Sequence, residues 1–324
     1  MPWPTCDGVL LPPMNTLPSS PASSIDAILT QLNTVILGKS GPIRLALACL
    51  LARGHLLVED LPGVGKTTLA HALARTLGLQ FQRIQFTSDL LPADILGVPV
   101  FSSERKCFEF HPGPIFSQLV LADEINRATP KSQSALLEAM EEQQVTIEGI
   151  TRHLPVPFFV IATQNPQEQI GTFPLPESQM DRFLMRLHLG YPDAAAERAL
   201  LRGQDRRELV ETLPTQVDGS ALLALQQQVT QIHVSDALLD YLQAIIAHTR
   251  QPGIYRMGLS PRAVLALLRA AQAWAMVDHR DHVLPEDIQA VLPPVAGHRL
   301  HLRESPGLAP EQVTRRLIEA VPVP

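Results

Sequence analysis

The sequence predicts an α/β fold in which helices cover both faces of a parallel β-sheet, followed by a smaller all-helical domain. From residue 25 to residue 191, short apolar segments alternate with segments of helical periodicity, which is the pattern of a parallel sheet. Residues 119–122 and 158–163 are apolar along nearly their whole length, as expected for strands buried on both faces. After residue 192 the strand patterns give way to Ala- and Leu-rich helical runs.

The elements are predicted in chain order as follows. The strands are expected at residues 55–59, 81–85, 119–122, 158–163 and 183–189. Two inserted hairpins are expected, one over residues 98–110 and one over residues 145–156, because apolar ends flank a polar middle in each. The helices of the second domain are expected at residues 194–210, 220–231, 236–249, 261–277 and 285–292.

Three domains follow from this pattern, namely a tail over residues 1–24, a core domain over 25–191 and a helical domain over 192–324. The tail is rich in Pro and Ser and lacks the apolar core of a signal peptide, so we expect it to be flexible. The 324 residues are 45% hydrophobic and 18% charged, the composition of a soluble globular protein. No segment approaches the ~20 apolar residues of a membrane span, so no direct membrane insertion is expected.

Charge and cysteine content narrow the functional classes. The formal net charge is −6, whereas nucleic-acid-binding domains are usually strongly basic, so no nucleic-acid partner is expected. The three cysteines are scattered along the chain and form neither a disulfide framework nor a metal cluster. This pattern favours a reducing compartment, and we expect a cytoplasmic location.

The most informative segment is D-L-P-G-V-G-K-T at residues 60–67, between the apolar run 56–58 and a helical pattern. It matches the phosphate-binding loop G-x-x-x-x-G-K-[ST] except that Asp60 replaces the first Gly. Lys66 is expected to meet the β- and γ-phosphates and the Thr67 hydroxyl to bind Mg²⁺, with an ordinary Gly/Pro turn as the alternative. The residues expected to bind ATP here are Pro62, Gly63, Val64, Gly65, Lys66, Thr67 and Thr68.

A second site element is the acidic pair Asp123 and Glu124, which directly follows the apolar segment 119–122. Ligands bind at the carboxyl ends of strands in an open parallel sheet, so Asp123 is expected beside Thr67, where its carboxylate would help to bind Mg²⁺. Glu124 is expected to polarise a water aimed at the γ-phosphate. The alternative is that the pair is simply the polar end of a strand.

Three further polar residues are candidates, each with a structural alternative. Asn165 follows the strand 158–163 and would reach the γ-phosphate or the attacking water, unless Asn-Pro only starts a turn. Arg182 lies in Q-M-D-R-F and could instead form a surface salt bridge. Arg262 lies in the first turn of a helix capped by Ser260, where the helix dipole disfavours a cation, so a phosphate or another anion is expected opposite.

These elements, in this order, resemble the AAA+ ATPases and, within them, the MoxR family. The resemblance covers about residues 25–302 and rests on long blocks as well as on the phosphate loop. These blocks are D-L-L-P-A-D-I-L-G at residues 89–97, F-H-P-G-P-I-F-S-Q-L-V-L-A-D-E-I-N-R-A-T-P-K-S-Q-S-A-L-L-E-A-M-E-E at 110–142, and A-T-Q-N-P-Q-E-Q-I-G-T-F-P-L-P-E-S-Q-M-D-R-F at 162–183.

The resemblance implies a role for several residues. Asn165 is similar to the sensor 1 position, and Arg182 matches the arginine finger that reaches the γ-phosphate of a neighbouring subunit. Arg262 matches sensor 2 on a helical lid, and Gly38 lies where the family wraps the adenine. The two predicted hairpins match the helix-2 insert and the pre-sensor 1 hairpin. An acidic residue such as Asp60 before the loop is usual for MoxR-like sequences.

The resemblance also implies a function, which is Mg²⁺-dependent ATP hydrolysis by a ring-forming, chaperone-like remodeller or maturation factor. The ring is expected to be a hexamer, and the client or partner is expected to carry a von Willebrand factor A domain. The residues expected to carry catalysis are Lys66, Glu124, Asn165 and Arg182.

Three alternatives stay open at this point. A nucleic-acid motor is disfavoured by the acidic balance, and the second hairpin offers only Arg152 and His153 as phosphate contacts. A nucleotide-dependent switch with negligible turnover would need neither Glu124 nor Arg182. A P-loop kinase would not explain the two hairpins and the helical lid.

Overall fold

The computed structural model describes residues 21–166, 171–203, 205–305 and 307–323. Helix α1 spans Pro21–Val35, so its first turn lies inside the segment that the sequence analysis assigned to a flexible tail. The reason is that Ile25 and Ile28 are fully buried, and the helix that carries them extends to a Pro, which is favourable in a first turn. Residues 1–20 of the predicted tail lie outside the described residues.

The described chain alternates strands and helices before residue 190 and is helical after it. The strands are β1 Leu56–Glu59, β2 Phe81–Gln85, β3 Gly97–Ser102, β4 Cys107–Pro112, β5 Leu119–Asp123, β6 Gln144–Ile147, β7 Ile150–His153, β8 Phe159–Gln164 and β9 Met185–Leu187. The helices after α1 are α2 Ser40–Leu51, α3 Lys66–Thr76, α4 Pro92–Leu96, α5 Pro130–Glu142, α6 Glu177–Met180, α7 Ala194–Arg202, α8 Arg206–Glu211, α9 Gly219–Val229, α10 Asp236–Thr249, α11 Pro261–Val277, α12 Pro285–Ala296 and α13 Pro310–Ala320.

Five strands form one parallel sheet in the order β2-β5-β8-β1-β9, which confirms the predicted fold class. The central strands β5 and β8 are buried along almost their whole length, as their apolar sequences predicted. The register pairs Gln85 with Asp123 and Glu59 with Gln164. Because all the strands run in one direction, these polar ends lie along a single edge of the sheet.

Both predicted hairpins are present in the structure. One is formed by β3 and β4 and the other by β6 and β7. The exposed rings of Phe101 and Phe108 pack edge to face on the first hairpin, with centroids 5.4 Å apart. The guanidinium of Arg152, on the second hairpin, lies 3.9 Å from the centroid of the Phe110 ring on the first. The two hairpins therefore contact each other, and the cation considered for nucleic-acid binding packs on an aromatic ring.

The helical region differs from the prediction in three places. The predicted helix over residues 194–210 is divided into α7 and α8, because Asp205 caps a new helix by accepting from the Arg207 N–H. Helix α12 continues through Pro293 and Pro294, although a proline usually ends a helix. Helix α13 was not predicted. No helix of the described residues is long and apolar enough to cross a membrane.

The helical region does not have a core of its own. Helix α11 packs against α2 and α12, and fully buried residues of both regions belong to one continuous apolar cluster. Ala46 and Leu50 of α2 and Leu267 and Ala271 of α11 are examples. The sheet domain and the helical lid are therefore packed together as one body.

Candidate functional site

The phosphate loop connects β1 to α3 in the structure. Gly63 and Gly65 have φ values of +84° and +98°, in the left-handed region where a residue with Cβ would be strained. Helix α3 begins at Lys66, directly after this turn, so its free N–H groups and the positive end of its dipole lie at the loop. This is the geometry of an anion site.

The loop forms one wall of a cavity of about 570 Å³. The other residues that the sequence singled out at this cavity are Asp123, Glu124 and Asn165. The cavity is lined by Pro62, Gly63, Gly65, Lys66, Thr67, Thr68, His71, Arg83, Asp123, Glu124, Asn165, Arg207, Val210 and Glu211. The structure thus brings together candidates that lie up to about a hundred residues apart in the sequence.

Asp60, which replaces the first Gly of the loop, is buried and bonded to backbone. Its Oδ2 accepts hydrogen bonds from the N–H groups of Leu189 and Gly190, both at 2.6 Å, and its Oδ1 accepts from the Leu61 N–H at 2.9 Å. The ammonium of Lys66 donates to the Asp60 carbonyl oxygen. The acidic residue therefore ties the start of the loop to the segment that follows β9.

Asp123 is also buried, with both carboxylate oxygens engaged. Its Oδ1 accepts from the Thr163 hydroxyl at 2.6 Å, and its Oδ2 pairs with the Arg83 guanidinium at 2.6 Å. The same Thr163 oxygen accepts from the Glu124 N–H at 2.9 Å. Thr163, on the neighbouring strand β8, therefore fixes the relative positions of the two acids.

Glu124 lies directly after β5 with a φ of +57°, a conformation that non-glycine residues adopt rarely. Its Oε2 accepts from the Gln85 amide at 2.7 Å and pairs with Arg127 at 3.2 Å. Arg83 in turn donates to Gln85 at 2.8 Å. Sequence reasoning missed Arg83, Gln85, Arg127 and Thr163, although β2 and β8 were predicted as strands of the same parallel sheet as β5.

The oxygen atoms of two side chains at this edge of the sheet are of the kind that bind a magnesium ion. Thr67 and Asp123 both line the cavity and offer the hard oxygen ligands that Mg²⁺ prefers. Among the described residues no group of three or more His, Cys, Asp or Glu side chains is arranged around a metal site.

Three of the residues predicted to bind the nucleotide, Gly38, Val64 and Arg262, do not line this cavity. Gly38 lies against the start of α7, where an added Cβ would be 2.9 Å from the Ala196 Cβ. Arg262 forms an ion pair with Glu141, and Glu141 also pairs with Arg182 at 3.1 Å. Arg262 thus lies at the C-terminal end of α5, opposite the Glu141 carboxylate, and does not line this cavity. Val64 is partly buried against the main core instead.

The helical region contributes to the cavity through α8 instead. Arg207, Val210 and Glu211 line it, and Glu211 pairs with Arg75 of α3 at 2.9 Å. The ring of His71, which also lines the cavity, stacks on the ring of Phe81, and the two ring centroids are 5.0 Å apart. The sequence of α8 carries no motif, so its part in the site could be found only from the packing.

Two residues at the contact between the lid and the segment before β9 have shifted pKa values. Burial lowers the pKa of His298, and the positive charges of Arg299 and Arg186 lower it further. Burial also lowers the pKa of Arg299, while a hydrogen bond and the charge of Asp181 act in the opposite direction. A neutral histidine and a paired arginine are therefore buried where the lid meets the segment before β9.

Two segments of the chain match known families. Residues 55–185 match the family described as ATPase family associated with various cellular activities (AAA), and residues 247–319 match the AAA lid domain. The first segment contains four of the five sheet strands and most of the cavity residues, and the second contains α11, α12 and nearly all of α13. Fold and site together define an AAA ATPase core followed by its lid.

Similar individual proteins indicate which family of AAA ATPases this chain belongs to. Uncharacterized protein YeaC of Bacillus subtilis is 47% identical over 90% of this chain and 92% of its own length. Chaperone MoxR1 of Mycobacterium tuberculosis is 39% identical over 93% of this chain and 82% of its own length. A crystal structure of a proposed ATPase from Cytophaga hutchinsonii superposes with a TM-score of 0.86 at 37% identity, covering 94% of this chain and 96% of the other. This chain belongs to the MoxR family of AAA+ ATPases.

Proposed function

We propose that the chain is a Mg²⁺-dependent ATPase that is active as a ring and remodels or matures a partner protein. The observation that carries the proposal is the single cavity that joins the phosphate loop to Asp123, Glu124 and Asn165. The loop N–H groups and Lys66 would bind the phosphates, and Thr67 and Asp123 would hold the metal. Bound Mg²⁺ would offset the negative charge that develops during phosphoryl transfer.

Two cavity residues would act on the attacking water. The Glu124 carboxylate, held between Gln85 and Arg127, would accept its proton, and the Asn165 amide would orient it. Glu124 needs no unusual basicity for this role, since phosphoryl transfer depends mostly on an aligned nucleophile and on charge stabilisation.

The ring follows from the position of the two arginines. Arg182 and Arg262 share Glu141, and neither lines the cavity of its own chain within the described residues. Two cations beside one carboxylate leave a net positive charge, which suits the phosphates of a second nucleotide. We therefore assign both arginines to the site of a neighbouring subunit, with six subunits as the expected ring.

Action on a partner protein is supported by two observations. A relative that is 39% identical is named a chaperone. In addition, Phe101 is 53% exposed and Phe108 is 69% exposed on the first hairpin, so a client segment has an apolar surface to contact. A partner with a von Willebrand factor A domain, in the cytoplasm, remains the expected kind of client or cofactor protein.

The test is ATP hydrolysis per chain as a function of protein concentration, with light scattering on the same samples. Specific activity is expected to rise as large particles form, because each site needs Arg182 from a neighbour. Arg182→Ala is expected to lower turnover on the order of 10³-fold while ATP still binds. Activity that is independent of concentration, together with a silent Arg182→Ala, would contradict the shared site.

A further inference from the structure

A buried residue of the lid, Arg299, makes several hydrogen bonds to the segment that carries Arg182. This arginine follows α12, and its side chain is only 7% exposed. Its guanidinium donates to the Asp181 carboxylate at 2.6 Å and to the carbonyl oxygens of Asp181, Phe183 and Leu184 at 3.0, 2.7 and 3.2 Å. The planar five-donor head of this arginine thus binds the Asp181 carboxylate and three backbone carbonyl groups that flank Arg182, and it also donates to the Val295 carbonyl oxygen of α12.

A second group of the lid contacts Asp181, and a third shares an acidic partner with Arg182. The Ser260 hydroxyl, which caps α11, donates to the other Asp181 oxygen at 3.5 Å. Arg262, two residues later, pairs with the Glu141 carboxylate that also pairs with Arg182. Asp181 and Arg182 are therefore held from one side by the start of α11 and from the other by the end of α12.

These contacts lie away from the nucleotide cavity of the same chain. Arg299, Asp181 and Arg182 do not line that cavity in the part of the chain that the structure describes. The cluster can therefore influence phosphoryl transfer in the same chain only indirectly, through the fold. Its direct effect would fall on whatever faces Arg182.

We propose that Arg299 is a positioning residue for Arg182. It fixes the backbone of residues 181–184 so that the Arg182 guanidinium is presented to the γ-phosphate in the neighbouring subunit. Turnover in one subunit thereby depends on how the lid of the next subunit holds residues 181–184 of that subunit. This inference rests on the shared site proposed above.

Rings assembled from two different variants allow the two halves of the shared site, Glu124 from one subunit and Arg182 from its neighbour, to be changed independently. Glu124→Gln subunits cannot hydrolyse ATP but still supply Arg182, whereas Arg182→Ala subunits retain Glu124 but supply no arginine. Mixing the two inactive variants is expected to restore activity at the junctions where a Glu124→Gln subunit faces an Arg182→Ala site.

The inference is tested by adding Arg299→Lys to one partner at a time. Lysine keeps the charge beside Asp181 but lacks the planar fork that binds several carbonyl oxygens. In the Glu124→Gln subunit, the substitution is expected to lower the restored activity tenfold or more, since small errors in placement are costly in catalysis. In the Arg182→Ala subunit, it is expected to leave the restored activity within about twofold, because that subunit only contributes its cavity.

Two further variants test whether the loss of activity comes from the ion pair between Arg299 and Asp181 rather than from a general loss of folding. Asp181→Asn weakens the same ion pair from the opposite side and is expected to give the same one-sided loss. Arg303→Lys is the matched control, because Arg303 lies on the same segment as Arg299 and donates to the Tyr255 carbonyl oxygen at 3.0 Å. It is expected to be silent in both partners. Thermal melting of every variant, measured in the same buffer, reports whether it is folded.

The outcomes distinguish the two proposals. If Glu124→Gln and Arg182→Ala do not complement each other at all, the shared site itself is wrong, and this inference falls with it. If they complement and Arg299→Lys is silent in both partners, the shared site stands and the positioning role is wrong. Equal losses in both partners would show that Arg299 only supports the fold, which also overturns the inference.

Discussion

At the scale of single residues, Asp60 shows why a departure from the general phosphate-loop pattern is tolerated. Its carboxylate accepts hydrogen bonds from three backbone N–H groups, and two of these belong to residues that follow β9. The glycine of the general pattern provides no such acceptor. The loop conformation itself depends on Gly63 and Gly65, which are retained. The first position of the loop is therefore free to take a structural role in this chain.

Restoring the glycine is expected to harm the protein. Asp60→Gly leaves the N–H groups of Leu189 and Gly190 without their acceptor, which costs about 1–3 kcal/mol for each buried group. We expect the free energy of unfolding in urea to fall by at least about 2 kcal/mol and ATP to bind about tenfold more weakly, because the start of the loop is no longer fixed.

Asp60→Asn is the matched control for this change. Its amide oxygen still accepts a hydrogen bond from the residues after β9, so its loss of stability should be clearly smaller than that of Asp60→Gly. Equal stability of wild type and Asp60→Gly would show that these hydrogen bonds contribute nothing.

At the scale of elements, the site depends on contacts between neighbouring strands. Thr163 of β8 donates to Asp123 of β5 and accepts from the Glu124 N–H, so one hydroxyl sets the spacing of the proposed metal ligand and the proposed base. Gln85 at the end of β2 reaches Glu124 from the other side. The geometry of the proposed catalytic residues is therefore a property of three adjacent strands.

Thr163→Val keeps the size of the side chain and removes this hydroxyl. A buried carboxylate oxygen and a buried N–H group each lose a partner, at about 1–3 kcal/mol apiece. We expect kcat for ATP hydrolysis to fall at least tenfold while nucleotide affinity measured without Mg²⁺ changes less than about threefold. Thr146→Val, at an exposed threonine pair of the second hairpin, is expected to leave kcat unchanged.

Most of these elements could be predicted from the sequence, because the signals are local. Apolar runs indicated β5 and β8, and the Gly-Lys-Thr turn indicated the start of α3. Arg83 and Gln85 were missed because their role depends on strand order, which no local pattern encodes. The pairing of Arg262 and Arg182 with Glu141 likewise depends on how the lid packs, which no local pattern encodes. The part played by α8 likewise depends only on tertiary packing.

At the scale of the whole molecule, the sheet domain and the lid share one apolar core. Residues of α2 and α11 belong to the same buried cluster, and Arg299 adds a buried polar contact between α12 and the segment before β9. Two regions that bury their apolar faces against each other lose stability together when either one unfolds.

A single cooperative unfolding transition is therefore expected, rather than one transition for each region. In scanning calorimetry at low protein concentration, the calorimetric and van't Hoff enthalpies should agree. Leu267→Ala, in the fully buried part of α11, is expected to destabilise by about 2–5 kcal/mol and to move the whole transition to lower temperature. Two resolved transitions, of which Leu267→Ala moves only one, would contradict a shared core.

The common core also limits where mechanical work can arise. A lid that swings over its own nucleotide would have to expose the buried faces of α2 and α11 at every cycle, and the free energy needed for that is large. We instead expect the sheet domain and the lid of each protomer to move together as a rigid body. Binding and release of phosphate would then change the angle between whole protomers. In the proposed ring, they would rotate about the junction where Arg182 of one subunit reaches the cavity of the next. The hairpins, fixed to each other through Arg152 and Phe110, would be carried along as the arm that pushes on a client.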